Sequence, residues 1–215
     1  MDIGGVVRPV TVGVCVMAVP ERADSAQAIQ EEICAQGGEC SVHYDYERQG
    51  PWWNWRRSME FALYGKEYGV VLQDDVEVCT GFVGALQPLI QATYDRPVSL
   101  FTARRSYVQE AQRRRRRLLP KYECTAQALM MPGWLVAQAV EWIAAHEDPA
   151  WKNHDDTRLE AWSKAARRPF VQVFPSLANH GKLKSTMGHG MHRPAALYVA
   201  GDAREIDWGS PLEER

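Results

Sequence analysis

The sequence predicts an α/β fold, a mixed and mostly parallel sheet flanked by helices, and three observations carry that expectation. Two continuous β-branched runs, VTVGVCVMAV near the start and YGVVLQ at Tyr68–Gln73, suit strands covered on both faces. Segments of helical period separate these runs, and their ends carry proline or glycine. The resulting β-α-β-α-β order favours parallel pairing, with helices packed on the sheet and ligands gathered at the carboxyl ends of the strands.

In chain order, the first strand stops at Pro20. DSAQAIQEEICAQGG follows as a helix, with Asp24 or Ser25 as cap, Ala28, Ile29 and Ile33 at helical spacing, and Gly37-Gly38 as the stop. CSVHYDY reads as the second strand. The stretch Trp52–Gly65 suits a helix that begins after Pro51 and ends at glycine. YGVVLQ is the third strand and RPVSLFTA a further one. MPGWLVAQAVEWIAAHE and DDTRLEAWSKAARR are amphipathic helices, the first turning Leu135, Ala139, Val140 and Ile143 inward, and RPFVQVFP is a closing strand. From His180 the chain is rich in Gly, His and Lys. After Gly201 it is mildly acidic, so one domain over residues 1–200 with a short acidic tail over 201–215 is expected.

A length of 215 residues is enough for one substantial core. Hydrophobic residues at 46% and charged residues at 24% exclude disordered and fibrous classes. The first apolar run is too short to span a bilayer and lacks a basic leader or cleavage site, which predicts a soluble, untargeted, cytoplasmic chain without a membrane span. Five cysteines (Cys15, Cys34, Cys40, Cys79, Cys124) without a CxxC pair suggest neither a disulfide framework nor a zinc ribbon. The formal net charge of −2 hides an uneven distribution: residues 104–121 hold eight Lys or Arg against one Glu, with RRRRR at Arg113–Arg117.

The third strand ends in DDVEV, and ionised carboxylates leave water at high cost unless something pairs with them. Strand alternation puts Asp75 and Glu77 on one face and Asp74 on the other, unless the strand is already turning there. Hard oxygen ligands suit Mg²⁺ or Mn²⁺, and the plainer reading is a solvated acidic turn.

LQDDV (Leu72–Val76) resembles the LEDDV motif of nucleotide-sugar glycosyltransferases of the GT-A fold, the bacterial lipooligosaccharide type. Arg57, then KEY (Lys66–Tyr68), then QDD (Gln73–Asp75) keep nearly the intervals of the large inverting GT-A family. Gln73 departs from that pattern at its first acidic position. HDDTRLEAW, from His154, looks like the family's E-D-x-x-L motif, and PSLANHG (Pro175–Gly181) resembles its P-S-L-x-x-H segment. The likeness spans roughly residues 11–190 and implies a single GT-A-like domain.

The resemblance implies a divalent cation, Mn²⁺ or Mg²⁺, held by Asp75 and His180, with Asp74 on the donor and Glu77 as a weaker metal ligand. It implies Asp156 as the base that takes the acceptor's proton in an inverting enzyme, with Asp155 as the second choice. Asp45, Arg22, Arg57, Lys182 and Lys184 are candidate contacts for the nucleotide or its diphosphate. The plainer readings are a helix cap for Asp155 and Asp156, a loop histidine for His180, a turn residue for Asp45, and surface ion pairs for Arg22 and Arg57. Trp52, Trp53, Trp55 and Trp151 are candidates for stacking on a sugar or base, although core packing is the commoner use of tryptophan.

The family likeness sets residues 104–121 near the acceptor mouth. Arg113, Arg114, Arg115, Arg116 and Arg117 there point to a polyanionic acceptor, such as DNA with hydroxymethylated bases flipped out of the duplex, or else form a solvated helix face. A saccharide or lipid-linked acceptor is the alternative within the class. Two other classes compete: a two-metal phosphohydrolase or nuclease using Asp74, Asp75, Asp155 and Asp156, and a non-catalytic nucleic-acid-binding module.

Overall fold

In the computed structural model the described residues are 9–152, 154–181 and 193–212. Their order is β1 (Val12–Ala18), α1 (Ala23–Ala35), β2 (Cys40–Tyr44), α2 (Pro51–Ala62), β3 (Tyr68–Gln73), β4 (Val76–Val78) and α3 (Phe82–Thr93). There follow β5 (Val98–Ser99), α4 (Arg105–Arg113), β6 (Leu118–Lys121), β7 (Ala128–Pro132), α5 (Gly133–Ala145), α6 (Asp155–Ala165), β8 (Phe170–Val173) and β9 (Ala178–His180).

Seven strands form one sheet in the order β2-β1-β3-β7-β5-β8-β6. β1 pairs in parallel with β2 and β3, and β5 with β8, whereas β7 runs against both β3 and β5, and β6 runs against β8. The expected mostly parallel α/β sheet is therefore present, with two reversed strands. A separate antiparallel pair joins β4 to β9.

Period-two alternation sorts the side chains of the sheet into two cores. Val14, Val16, Val70, Leu72 and Met130 face α1 and α3 through Ile29, Ile33, Phe82 and Leu86. Met17, Val71, Leu129 and Met131 face α2, α5 and α6 through Trp55, Met59, Leu135, Leu159 and Trp162. A third cluster joins α4 to the β6 edge through Val108, Ala111, Leu119, Phe174 and Leu212. The acidic C-terminal stretch is anchored here and on the first core: Ala203, Trp208 and Leu212 are buried, and Leu212 N–H donates to Arg115 O (3.3 Å).

α3, β4, β6, β7 and β9 were not expected from sequence. α3 contains Pro88, whose missing N–H argues against a helix interior. β7 is five wholly buried residues, ALMMP, lodged antiparallel between parallel neighbours and carrying no polar alternation to reveal it. The RPVSLFTA strand contracts to Val98–Ser99, although Leu100 N–H still donates to Ala128 O (2.9 Å).

α2 approaches β1 closely because Gly13 has no side chain: a Cβ there would lie 2.1 Å from Ala62 O. Gly13→Ala forces helix and strand apart and should cost about 3 kcal/mol of stability, the upper range for overpacking a tight core. A lower urea midpoint at unchanged m-value is the expected readout, and an unaltered midpoint would refute the close contact.

Candidate functional site

The strand order reverses between β1 and β3, since β2 lies outside β1 while β7, β5, β8 and β6 lie beyond β3. In open α/β sheets such a switch point leaves a crevice at the carboxyl ends of the strands. Arg22 follows β1 at the end of a 3-10 turn, Pro20–Arg22, and Asp74-Asp75 follow β3 in a two-residue turn before β4. The crevice brings them together.

Arg22 Nη1 donates to Asp74 Oδ1 (2.8 Å) and to Asp75 Oδ2 (2.8 Å), with all three side chains no more than 10% exposed. The expected split of Asp74 and Asp75 onto opposite faces does not occur, because the chain turns at these two residues and both carboxylates converge on one guanidinium. Asp74 is otherwise fully engaged: Val19 N–H donates to its Oδ2 (2.9 Å), and Ser25 Oγ donates to its main-chain oxygen (2.6 Å). Burial pushes the Asp74 carboxyl above its ordinary value, against the pull of Val19 N–H and Arg22. Asp75 differs, since its Oδ1 is buried without a hydrogen-bond partner among the described residues.

His180 arrives from β9. The β4–β9 ladder pairs Val76 with His180, and Gly181 N–H donates to Asp75 O (2.6 Å). This sets His180 Nε2 3.3 Å from Asp75 Oδ2. The two residues expected to share a cation are thus neighbours. Glu77 sits exposed on β4 opposite Asn179, because alternation turns it outward while Val76 is buried. Among the described residues no three His, Cys, Asp or Glu side chains converge as a metal cage. The donor set instead fits a Mg²⁺-like cation bound by one or two carboxylates and completed by substrate phosphates. The unpartnered Asp75 Oδ1 is the atom that supports this fit.

Asp155 and Asp156 open α6. Asp155 is 5% exposed; its Oδ1 accepts Asp156 N–H (2.9 Å), and its Oδ2 is buried without a partner among the described residues. Burial, reinforced by the charge of Asp156, raises its carboxyl to about 7. Asp156 is half-buried, and its Oδ1 accepts Thr157 N–H (2.7 Å), which leaves it reachable from solvent.

The remaining candidates separate clearly. Asp45 takes the turn role: its oxygens accept Gln49 N–H (2.8 Å) and Gly50 N–H (2.7 Å). Arg57 is not brought to the crevice; it is exposed on α2, paired with Glu60 and lying 6.0 Å from the Phe61 ring centroid. Lys182 and Lys184 lie outside the described residues. Trp55 is fully buried, and Trp52 stacks on it with centroids 5.4 Å apart, so both serve packing. Trp53 lies against His43 (5.3 Å) and Trp151 near Trp142 (6.3 Å).

The arginine run ends α4 and turns into β6, with Arg113, Arg114, Arg115 and Arg116 exposed. Arg114 pairs with Glu110 (3.0 Å), Glu110 also holds Lys121 (2.6 Å), and Arg117 Nε donates to Ser210 Oγ (3.2 Å). Because β6 runs against β8, its first residue lies at the carboxyl end of the parallel strands. The run therefore shares that rim with Asp75, four strands away, roughly 19 Å at about 4.8 Å per strand.

One residue escaped the sequence reading. Gln127 sits just before β7, fastened by Gln73 N–H donating to its main-chain oxygen (2.8 Å), and its Oε1 is buried without a partner among the described residues. A polar residue immediately before an apolar strand was the available signal.

No protein-family model matches the chain, and no curated protein matches it. No helix among the described residues is long and apolar enough to cross a membrane.

The buried Asp155 sets a pH dependence. The folded chain binds more protons than the unfolded one between the ordinary carboxylate range and about pH 7, so stability falls as pH rises through that window. Asp155→Asn removes the cost of ionising this group. The variant's advantage in melting temperature over wild type should grow from about pH 4 to about pH 8, where it reaches several degrees; equal pH profiles would contradict the assignment.

Proposed function

We propose that the chain is a glycosyltransferase that moves a sugar from a nucleotide-sugar donor to an acceptor hydroxyl, with a divalent cation, Mn²⁺ or Mg²⁺, at Asp75 and His180. The observation that carries this reading is the meeting of His180 Nε2 with Asp75 Oδ2, 3.3 Å apart, at the sheet's switch point. Distant segments seldom bring an acid and an imidazole to a ligand-binding crevice without use for them. The motif likeness and the mixed sheet support the same reading.

A bound cation there supplies Lewis-acid stabilisation of the departing diphosphate. The chain's own groups do the rest. Asp156, the reachable carboxylate of its pair, accepts the proton as the acceptor oxygen bonds to the sugar's anomeric carbon and the bond from that carbon to phosphate breaks. Asp155 fixes the Asp156 backbone through its Oδ1. Arg113–Arg117 form the acceptor side, and their exposed charge favours a polyanion, DNA with hydroxymethylated bases foremost, over a saccharide or lipid-linked acceptor.

A panel of nucleotide sugars with Mn²⁺, offered to hydroxymethylated DNA, unmodified DNA and free saccharides and read by mass spectrometry, tests both halves. Mass addition to modified DNA is expected. Asp75→Ala should reduce transfer by roughly 10²-fold or more, the scale of losing one preorganised electrostatic group. Transfer to saccharides alone would remove the DNA acceptor, and cleavage of nucleic acid without sugar transfer would replace the transferase reading with a phosphohydrolase.

Replacing Arg113–Arg116 with Gln should weaken DNA binding and flatten its salt dependence by a slope of roughly 3 to 4, near 0.9 per lost phosphate contact. Titrations at several salt concentrations measure it, and an unchanged slope would show that the run is only a solvated helix end.

A further inference from the structure

We propose that Arg22 is a resident counter-cation that bars a lone divalent cation from the Asp74–Asp75 pair, so that cation and nucleoside diphosphate enter together. The inference rests on the transferase reading for the identity of the diphosphate, but its first half concerns only the chain's own charges.

The argument is one of competition for the same oxygens. A single guanidinium nitrogen, Nη1, lies 2.8 Å from both Asp74 Oδ1 and Asp75 Oδ2, and the three side chains are 9–10% exposed, where water screens little. Two carboxylates and one guanidinium leave the trio with one net negative charge, which is weak attraction for a divalent ion that must also shed water. A guanidinium keeps its proton throughout the working pH range, so Arg22 is not relieved by deprotonation.

Asp74 is fixed by Val19 N–H as well as by Arg22, which leaves Asp75 Oδ1 as the one carboxylate oxygen of the pair without a hydrogen bond among the described residues. One oxygen beside a cation is a poor site. An incoming diphosphate changes the balance in two ways. It offers Arg22 a bidentate anionic partner of the kind guanidinium groups favour, and it brings phosphate oxygens that complete the cation's coordination. Arg22 turning to the diphosphate frees Asp75 Oδ2 for the ion, next to His180. The arrangement links occupancy of the two charged ligands by mutual need rather than by a lid.

The test measures Mn²⁺ binding by the electron paramagnetic resonance signal of the free ion, with Mn²⁺ alone and with UDP, GDP, ADP or CDP. Wild type should bind Mn²⁺ weakly alone and at least roughly tenfold tighter with one of the diphosphates, a difference easily resolved in such titrations. Arg22→Gln should bind Mn²⁺ alone at least roughly tenfold tighter than wild type and show little further gain from nucleotide. Mn²⁺ should also raise the melting temperature of Arg22→Gln more than that of wild type.

Arg22→Gln combined with Asp74→Asn keeps the trio's net charge and guards against failure of the single variant to fold. It too should bind Mn²⁺ alone more tightly than wild type. Equal Mn²⁺ affinity in wild type and both variants overturns the proposal. Tighter binding in the variants, with no diphosphate promoting binding to wild type, upholds the barrier formed by Arg22 and instead removes the nucleotide-sugar donor.

Discussion

The Asp74 carboxylate is the fastening on which the site depends. Its two oxygens and its main-chain carbonyl receive hydrogen bonds from Val19, Arg22 and Ser25, which belong to the exit of β1, the 3-10 turn and the start of α1. One residue therefore ties together the ends of the neighbouring strands β1 and β3 at the point where strand order reverses. Removing a partner from such a buried network leaves the others desolvated and unsatisfied, which is costlier than the net worth of any single bond. The geometry of Asp75 follows from this clamp, since the residue next in the turn has little freedom once Asp74 is held.

The second constraint comes from the far end of the chain. β9 pairs with β4 alone, outside the main sheet, and the pairing delivers His180 beside Asp75. Its position is braced by the segment beyond: Asn179 Oδ1 accepts Ala195 N–H (2.8 Å), Ser176 N–H donates to Leu197 O (2.8 Å), and Ala196 N–H donates to Thr102 O (2.8 Å). The C-terminal stretch is thus structural support for the crevice, and Ala203 and Trp208, buried in the same core as Val76 and Ala178, supply the apolar contact that a short two-stranded ladder lacks by itself.

Much of this was legible in the residues. Strands that are apolar on both faces and helices with clear stops announced β1, α1, β2, α2, β3, α5, α6 and β8, because burial on two sides and amphipathic spacing are local signals. The reversed strand β7 was not legible, since five apolar residues carry no periodicity and their direction is fixed only by neighbours far away in sequence. α3 was hidden by Pro88. At the site, the family resemblance implied the nearness of Asp75 and His180, whereas nothing in the sequence announced the bridging of two acids by Arg22. Which surface arginine or buried carboxylate forms a pair depends on the turn at Asp74-Asp75, and strand alternation gave the wrong geometry for exactly those two residues.

The chain contains two Asp-Asp pairs, and their contrast shows how context assigns chemistry to identical residues. Asp74-Asp75 are bridged in a buried place by an internal cation, Arg22. Among the described residues Asp155-Asp156 have no such bridge: Arg158 is directed to Glu147 and to the carbonyls of His154 and Lys152. Burial then falls on Asp155 alone and raises its proton affinity, while Asp156 remains at the surface of the helix start. A pair bridged by a cation suits anion and cation exchange. A pair split by desolvation suits proton transfer, because one member can stay neutral beside a charged partner at the same pH. The contrast between an acid pair bridged by a guanidinium and an acid pair split by desolvation thus has a physical cause that sequence identity alone cannot express.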